Sequence, residues 1–246
     1  MSLAGQISLY SAFMLGAVFL GGVLPLFRRW DKAGIPLLLS LSAGLMLGTS
    51  FLHLMPESFE LIGAQASFYV LAGLLFLYAF EKFITVHICE IESEHCEVHK
   101  KLGMSAFIGL FLHALTDGVA LGVGLLIPRL GFIVFLAIFF HKAMEAFSLT
   151  SILLHENKSR GQIILANGAL LAAIPIGASL SFWWVGGNNP QLSGIALAFS
   201  AGTFLHVSLS DLLPEVHRHS SLKNQAFAFF TFGLLLMFLL EKYLHI

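Results

Sequence analysis

The chain has 246 residues, 57% of them hydrophobic and 11% charged, with a mean hydropathy of +0.87 and a formal net charge of −1. Soluble globular domains carry roughly a quarter charged and about half apolar residues, so this composition excludes an ordinary soluble domain and points to a membrane protein. The near-neutral charge gives no footprint for nucleic acid, and two cysteines, Cys89 and Cys96, are too few for a disulfide framework.

A membrane-spanning helix needs roughly 20 mostly apolar residues. Eight runs meet that length: about 5–27, 34–56, 67–88, 103–127, 130–154, 161–185, 191–214 and 225–246. The first run lacks a basic leader and continues to Phe27, which fits a span better than a cleavable signal peptide. RRWDK follows it, GG-NNP precedes the seventh run, and RHSSLKN precedes the eighth. Only IPRLG separates the fourth and fifth runs, so these two are expected to form a tight helical hairpin. The expected fold is an all-α membrane protein in one domain, 1–246, with eight transmembrane helices.

Orientation follows from lysine and arginine, which concentrate on the cytoplasmic side. With the N-terminus outside, the cytoplasmic side holds Arg28, Arg29, Lys32, Lys82, Lys100, Lys101, Lys158, Arg160, Arg218 and Lys223. The outer side holds only Arg129 and Lys242, and Lys142 falls inside the fifth run. Both termini are therefore expected outside.

LSAGLMLGTSFLHLMPESFE (41–60) resembles FSAGTFLHVSLSDLLPEVHR (199–218), with Ser-Ala-Gly and Pro-Glu in register at an offset of 158. AFEKF (79–83) matches LLEKY (239–243) at an offset of 160. Runs 1–3 thus read as repeated in runs 6–8, and eight spans make the repeat inverted, a 3+2+3 arrangement. Inverted repeats around a polar centre are a signature of secondary transporters. The alternative is that membrane helices rich in small residues and proline look alike by composition.

The polar centre lies in runs four and five. FLHALTDGVALG places His113 and Asp117 four apart, and HKAMEAF places His141 and Glu145 at the same spacing, so each pair shares one helix face. A carboxylate at mid-bilayer costs on the order of 2.5–3.5 kcal/mol and needs partners. Two imidazoles and two carboxylates from adjacent antiparallel helices suit a tetrahedral Zn²⁺ site and tolerate Fe²⁺ or Mn²⁺. The bland alternative is a polar network in which His–Asp and His–Glu pairs hold helices together.

These two helices resemble the signature helices of the ZIP (Zrt-, Irt-like) divalent-metal transporters, and the resemblance extends over the whole chain through SAG…PE and SAGTFLH…LPE. It implies that His113, Asp117, His141 and Glu145 are the transport-site ligands and that Met46 in GLMLGTSFLH joins them. It also implies a second, bridged metal in some members, held by the residue after each signature histidine and by a glutamate before the proline of the sixth helix. Those positions here are Ala114, Lys142 and Ile174, none of which can serve, so a single-metal site is expected. The Lys142 ammonium would then offset the charge of Asp117 and Glu145 in place of the second ion; the alternative is a lysine that snorkels to an interface. Transport into the cytoplasm of Zn²⁺, with Fe²⁺, Mn²⁺ or Cd²⁺ possible, by rocking or sliding of helices 1/4/5/6 against 2/3/7/8 in a homodimer, is what the family implies.

At the outer end of the second run, His53 and Glu57 are candidates for first capture of an ion. Asp211 and Glu215, at the inner end of the seventh, suit an exit path that His206 would line; ordinary solvation of helix ends is the alternative for each. The stretch 87–101 carries His87, Cys89, His95, Cys96 and His99 among glutamates, and reads as a cytoplasmic metal relay or as a solvated linker. No G-x-x-x-x-G-K-[ST] motif appears, so transport would run on a gradient or downhill. Competing readings are an intramembrane zinc hydrolase, which would need three ligands and one open position, and a membrane protein with a permanently bound ion. The expected home is the plasma or inner membrane rather than an organelle.

Overall fold

The computed structural model describes residues 3–23, 26, 34–89, 98–127, 130–185, 189–213 and 223–244, and every regular element among them is helical. A helix satisfies its backbone N–H and C=O groups internally, which hydrocarbon requires. In chain order the α-helical segments are α1 Leu3–Val18, α2 Gly34–Thr49, α3 Met55–Ile62, α4 Ala66–Cys89, α5 Val98–Gly124, α6 Leu130–His155, α7 Arg160–Val185, α8 Pro190–His206 and α9 Lys223–Leu244. Wider π-helical turns prolong three of them: Phe19–Val23 after α1, Ser50–Leu54 between α2 and α3, and Val207–Leu212 after α8.

The turn before α3 has a local cause. Pro56 lacks an N–H, and its ring crowds the carbonyl four residues back, so a widened turn relieves the clash. Met55 accordingly donates its backbone N–H to the Ser50 carbonyl, five residues earlier. The turn at 207–212 overlies this one at the sequence offset of 158, ahead of the second Pro-Glu.

Among the described residues, seven stretches are long and apolar enough to cross a membrane, rather than eight. The difference lies in Leu39–Phe80, a single stretch of 42 residues. At 1.5 Å per residue it would extend about 63 Å, twice the roughly 30 Å hydrocarbon core. It does not run straight. Gly63 takes a left-handed φ of 62° that only glycine adopts freely, and a single 3₁₀ turn, Gly63–Gln65, leads into α4.

Glycines let backbones meet at four helix pairs, as is common where no hydrophobic force drives helices together. A methyl group on Gly44 would strike the Phe230 carbonyl, and one on Gly233 the Leu41 carbonyl, so α2 and α9 are in backbone contact. Between α8 and α4 the same construction recurs: Gly202 against the Val70 carbonyl, and Gly73 against the Phe199 carbonyl. Each of these four residue pairs maps onto its counterpart at the offsets of 158 and 160 seen in the sequence. Gly118 and Gly177 close α5 onto α7 at the Ile174 and Leu115 carbonyls, and Gly21 presses against the Ala143 backbone in α6.

The π-turn after α1 also leaves the Gly22 carbonyl for a side chain. Thr150 Oγ1 donates to it at 2.8 Å, and Asn167 Nδ2 donates to Thr150 Oγ1 at 2.9 Å, binding the first helix to α6 and α7. The largest buried apolar cluster includes Met14, Met46, Leu121, Ile138, Ile174 and Phe204, contributed by six different helices. Outward faces carry Phe68, Leu165, Trp183 and Phe227 fully in the open, the pattern of a surface solvated by lipid.

Candidate metal centre

α5 and α6 are neighbours, joined by the short connection 125–129, and both are apolar around their midpoints. The exceptions converge. His113 and Asp117 of α5 and His141 and Glu145 of α6 are all buried, and each offers a ligand atom within 4.8 Å of the other three. His113 Nε2 stands 3.4 Å from Asp117 Oδ1, and His141 Nε2 stands 3.2 Å from Asp117 Oδ2. Ligand atoms around a tetrahedral zinc at 2.0–2.1 Å lie about 3.3 Å apart. The two imidazole–carboxylate separations already match that spacing.

The hydrogen bonds identify the lone pairs. His141 Nδ1 lies 2.8 Å from the Ala137 carbonyl, which can only accept, so Nδ1 carries a proton and donates. In a neutral ring Nε2 then turns a lone pair toward the Asp117 carboxylate, an arrangement that a cation between the two resolves. A histidine ligand fixed by a backbone carbonyl on its other nitrogen is the usual support of a metal site. His113 Nδ1 and Nε2, Asp117 Oδ1 and Glu145 Oε1 are buried with no hydrogen-bond partner. Buried polar atoms are rarely left so, and one nitrogen of His113, His141 Nε2 and the two carboxylates form a donor set chemically suited to a cation.

Lys142 is fully buried and does not reach for an interface. Its Nζ donates to Asp117 Oδ2 at 3.2 Å and to Glu145 Oε2 at 2.5 Å. Each carboxylate therefore gives one oxygen to the ammonium and keeps the other outside any hydrogen bond, Asp117 Oδ1 facing His113 Nε2 at 3.4 Å. Ala114 and Ile174 are both buried among apolar side chains.

The ZIP zinc transporter family profile matches residues 6–106 and 88–241. The chain belongs to the ZIP zinc transporter family. It is 27% identical to zinc transporter ZIP9 of Micropogonias undulatus over 272 aligned residues, covering 88% of each chain. Similarity to zinc transporter ZIP9-B of Xenopus laevis is also 27%, over 86% of this chain and 85% of the relative. Zinc transporter YKE4 of Saccharomyces cerevisiae is 24% identical over 87% of this chain and 71% of its own. The ZIP family is one of transporters, not of enzymes.

In this ZIP chain the remaining expected residues fall into separate places. Met46 is fully buried in α2, in the same apolar cluster as Phe204 and Ile138. His53 is buried in the π-turn after α2, with both ring nitrogens engaged: Nδ1 with Glu241 Oε2 at 2.6 Å and Nε2 with the Met237 carbonyl at 3.2 Å. Glu57, in the first turn of α3, is half-buried. His206, at the end of α8, is buried and meets Tyr78 of α4 edge to face, with ring centroids 6.2 Å apart. The side chain of Asp211 and all of Glu215 lie outside the described residues, as do His95, Cys96 and the side chains of His87, Cys89 and His99. α4 runs through Cys89 and α5 begins at Val98, so helix enters the 87–101 stretch from both ends.

The sequence alone does not single out two further participants, although Phe204 lies in SAGTFLH and Glu241 in LLEKY. Phe204 of α8 stands at 6.3 Å from the His113 ring and 5.8 Å from the His141 ring, tilted 60° and 75° to them. Glu241, the partner of His53, comes from α9, 188 positions further along the chain. Neither residue stands in a motif with the group it touches.

Proposed function

We propose that this ZIP protein carries divalent metal ions, Zn²⁺ foremost, across a membrane into the cytoplasm through one metal site made by His113, Asp117, His141 and Glu145. The observation that carries the reading is the cluster of four buried ligand residues on α5 and α6, with ligand atoms within 4.8 Å of one another and three of the residues keeping polar atoms outside any hydrogen bond. The names of the relatives, zinc transporters throughout those cited, set the metal; Fe²⁺, Mn²⁺ and Cd²⁺ are secondary cargoes compatible with two imidazoles and two carboxylates.

The site is single because Lys142 supplies a fixed positive charge where a second ion would need a ligand, and Ala114 and Ile174 supply none. Met46 completes the ligand set from α2 during part of the cycle. The fold is read as eight spans, with Leu39–Phe80 folding back at Gly63, both termini outside, and a 3+2+3 inverted repeat. The glycine–carbonyl contacts repeated between α2/α9 and α8/α4 support that symmetry. Alternating access moves the helices of runs 1/4/5/6 against those of 2/3/7/8 within a homodimer in a plasma or inner membrane. His53 and Glu57 lie on the outer path, His206, Asp211 and Glu215 on the inner one, and the 87–101 stretch relays metal in the cytoplasm. For His53 to receive an ion, its contact with Glu241 must open.

Purified protein in liposomes tests the reading. Saturable uptake of Zn²⁺, and weaker uptake of Fe²⁺, Mn²⁺ or Cd²⁺, is expected, and His141→Ala should abolish all of it. Zinc bound stoichiometrically and held without exchange or uptake would overturn it.

A further inference from the structure

We propose that Phe204 determines the metal selectivity of the site by denying the ion any ligand beyond the protein's own; this rests on the transport-site reading above. His113, His141 and Phe204 form a triangle of rings, with centroids 5.6, 5.8 and 6.3 Å apart. Phe204 is fully buried and belongs to α8, which contributes no ligand to the four. At the imidazole end of the site the neighbour is thus a hydrocarbon ring, with no lone pair to offer. At the carboxylate end the neighbour is the Lys142 ammonium, which has three donors and no acceptor.

An ion between these ends finds the four ligand atoms of α5 and α6, which Met46 joins during only part of the cycle, and two flanks that cannot coordinate. Zn²⁺ accepts four tetrahedral ligands readily, whereas Mn²⁺ prefers six, largely oxygens and water. Retaining water needs room and polar partners, and on its own side of the site the phenyl ring fills space and offers no polar atom. The ring's place has meaning in the internal match as well. At the offset of 158, Phe204 corresponds to Met46, so SAG-L-Met on α2 matches SAG-T-Phe on α8, and both side chains lie in one buried cluster. One half of the chain supplies a thioether that ligates a soft ion, the other a ring that ligates nothing.

Substituted cobalt provides a readout independent of transport. Four-coordinate Co²⁺ absorbs strongly in the visible, and added water ligands weaken the bands because the site gains symmetry. Co²⁺ titrated into the purified wild-type protein should give the strong bands, absent in His141→Ala. Phe204→Ala should still bind Co²⁺ with bands weakened several-fold, while Phe204→Leu keeps them. In liposomes the ratio of Zn²⁺ to Mn²⁺ uptake should fall roughly tenfold in Phe204→Ala, the scale on which one pocket contact discriminates, and hold within about twofold in Phe204→Leu. Unchanged bands and an unchanged ratio in Phe204→Ala would overturn the proposal, as would equal loss of Co²⁺ binding in both variants, which assigns the ring to packing alone. Absence of any His141-dependent Co²⁺ binding in the wild type would instead overturn the metal site itself.

Discussion

Lys142 touches both carboxylates of the centre, so one ammonium against two carboxylates leaves a single negative charge before any ion enters. A divalent ion then leaves the loaded site with one positive charge, where a site without the lysine would be neutral. At an effective dielectric near 20 and a separation of about 5–6 Å, the ammonium opposes a divalent ion by several kcal/mol, before relaxation lowers the figure. Lys142→Met should accordingly bind Zn²⁺ at least roughly tenfold more tightly and turn over more slowly. The same change leaves two buried carboxylates unpaired, which costs about 3–5 kcal/mol when a partner is removed. The metal-free variant should melt lower than wild type, and saturating Zn²⁺ should raise its Tm by more than it raises that of the wild type. Equal zinc-induced shifts in the two proteins would argue against the lysine as a built-in cation. Much of this was legible in the residues alone. His113, Asp117, His141 and Glu145 declared themselves because i,i+4 pairs of ionisable groups have no place in lipid without a purpose. Phe204 and the Ala137 carbonyl did not, because an aromatic in an apolar helix and a backbone oxygen carry no pattern until a neighbour is placed beside them.

At the level of helices, the firmest contacts are those where glycine admits a facing backbone. Gly44→Ala and Gly202→Ala should each destabilise the protein by about 1–3 kcal/mol, the usual effect of overpacking, and to similar extents because their surroundings repeat. Gly168→Ala in α7 is the control: nothing lies within 4 Å of its added methyl, so helix propensity alone should make it neutral or stabilising by up to about 1 kcal/mol. Thermal or denaturant unfolding in detergent reads all three. The His53–Glu241 contact joins the α2 π-turn to α9, and a double-mutant cycle of His53→Ala with Glu241→Gln should show a coupling of about 0.5–3 kcal/mol. Additive effects would mean that the two groups meet without holding the helices together. Hydropathy located the helices because backbone satisfaction in lipid leaves so few choices. It ended the second run at 56, whereas the helix continues as α3 to Ile62 before the positive φ of Gly63 breaks it ahead of α4. It also gave no sign of the π-turns, of which the one at Ser50–Leu54 answers to the sterics of Pro56.

Among the described residues of the molecule, the four candidate ligands and Lys142 are all buried, so the proposed metal centre is shielded from solvent. An ion there must be stripped of water on entry and rehydrated on exit, which favours a site that holds it moderately; the single negative charge of the lysine-bearing centre meets that need. The proposed centre takes one ion per chain. The direct measurement is the number of zinc ions per chain in purified wild-type protein minus the number in a His113→Ala/His141→Ala double variant, which cancels zinc held by the cysteine-containing stretch at 87–101. A difference of one is the expected result. A difference of two, or no difference at all, would contradict the account.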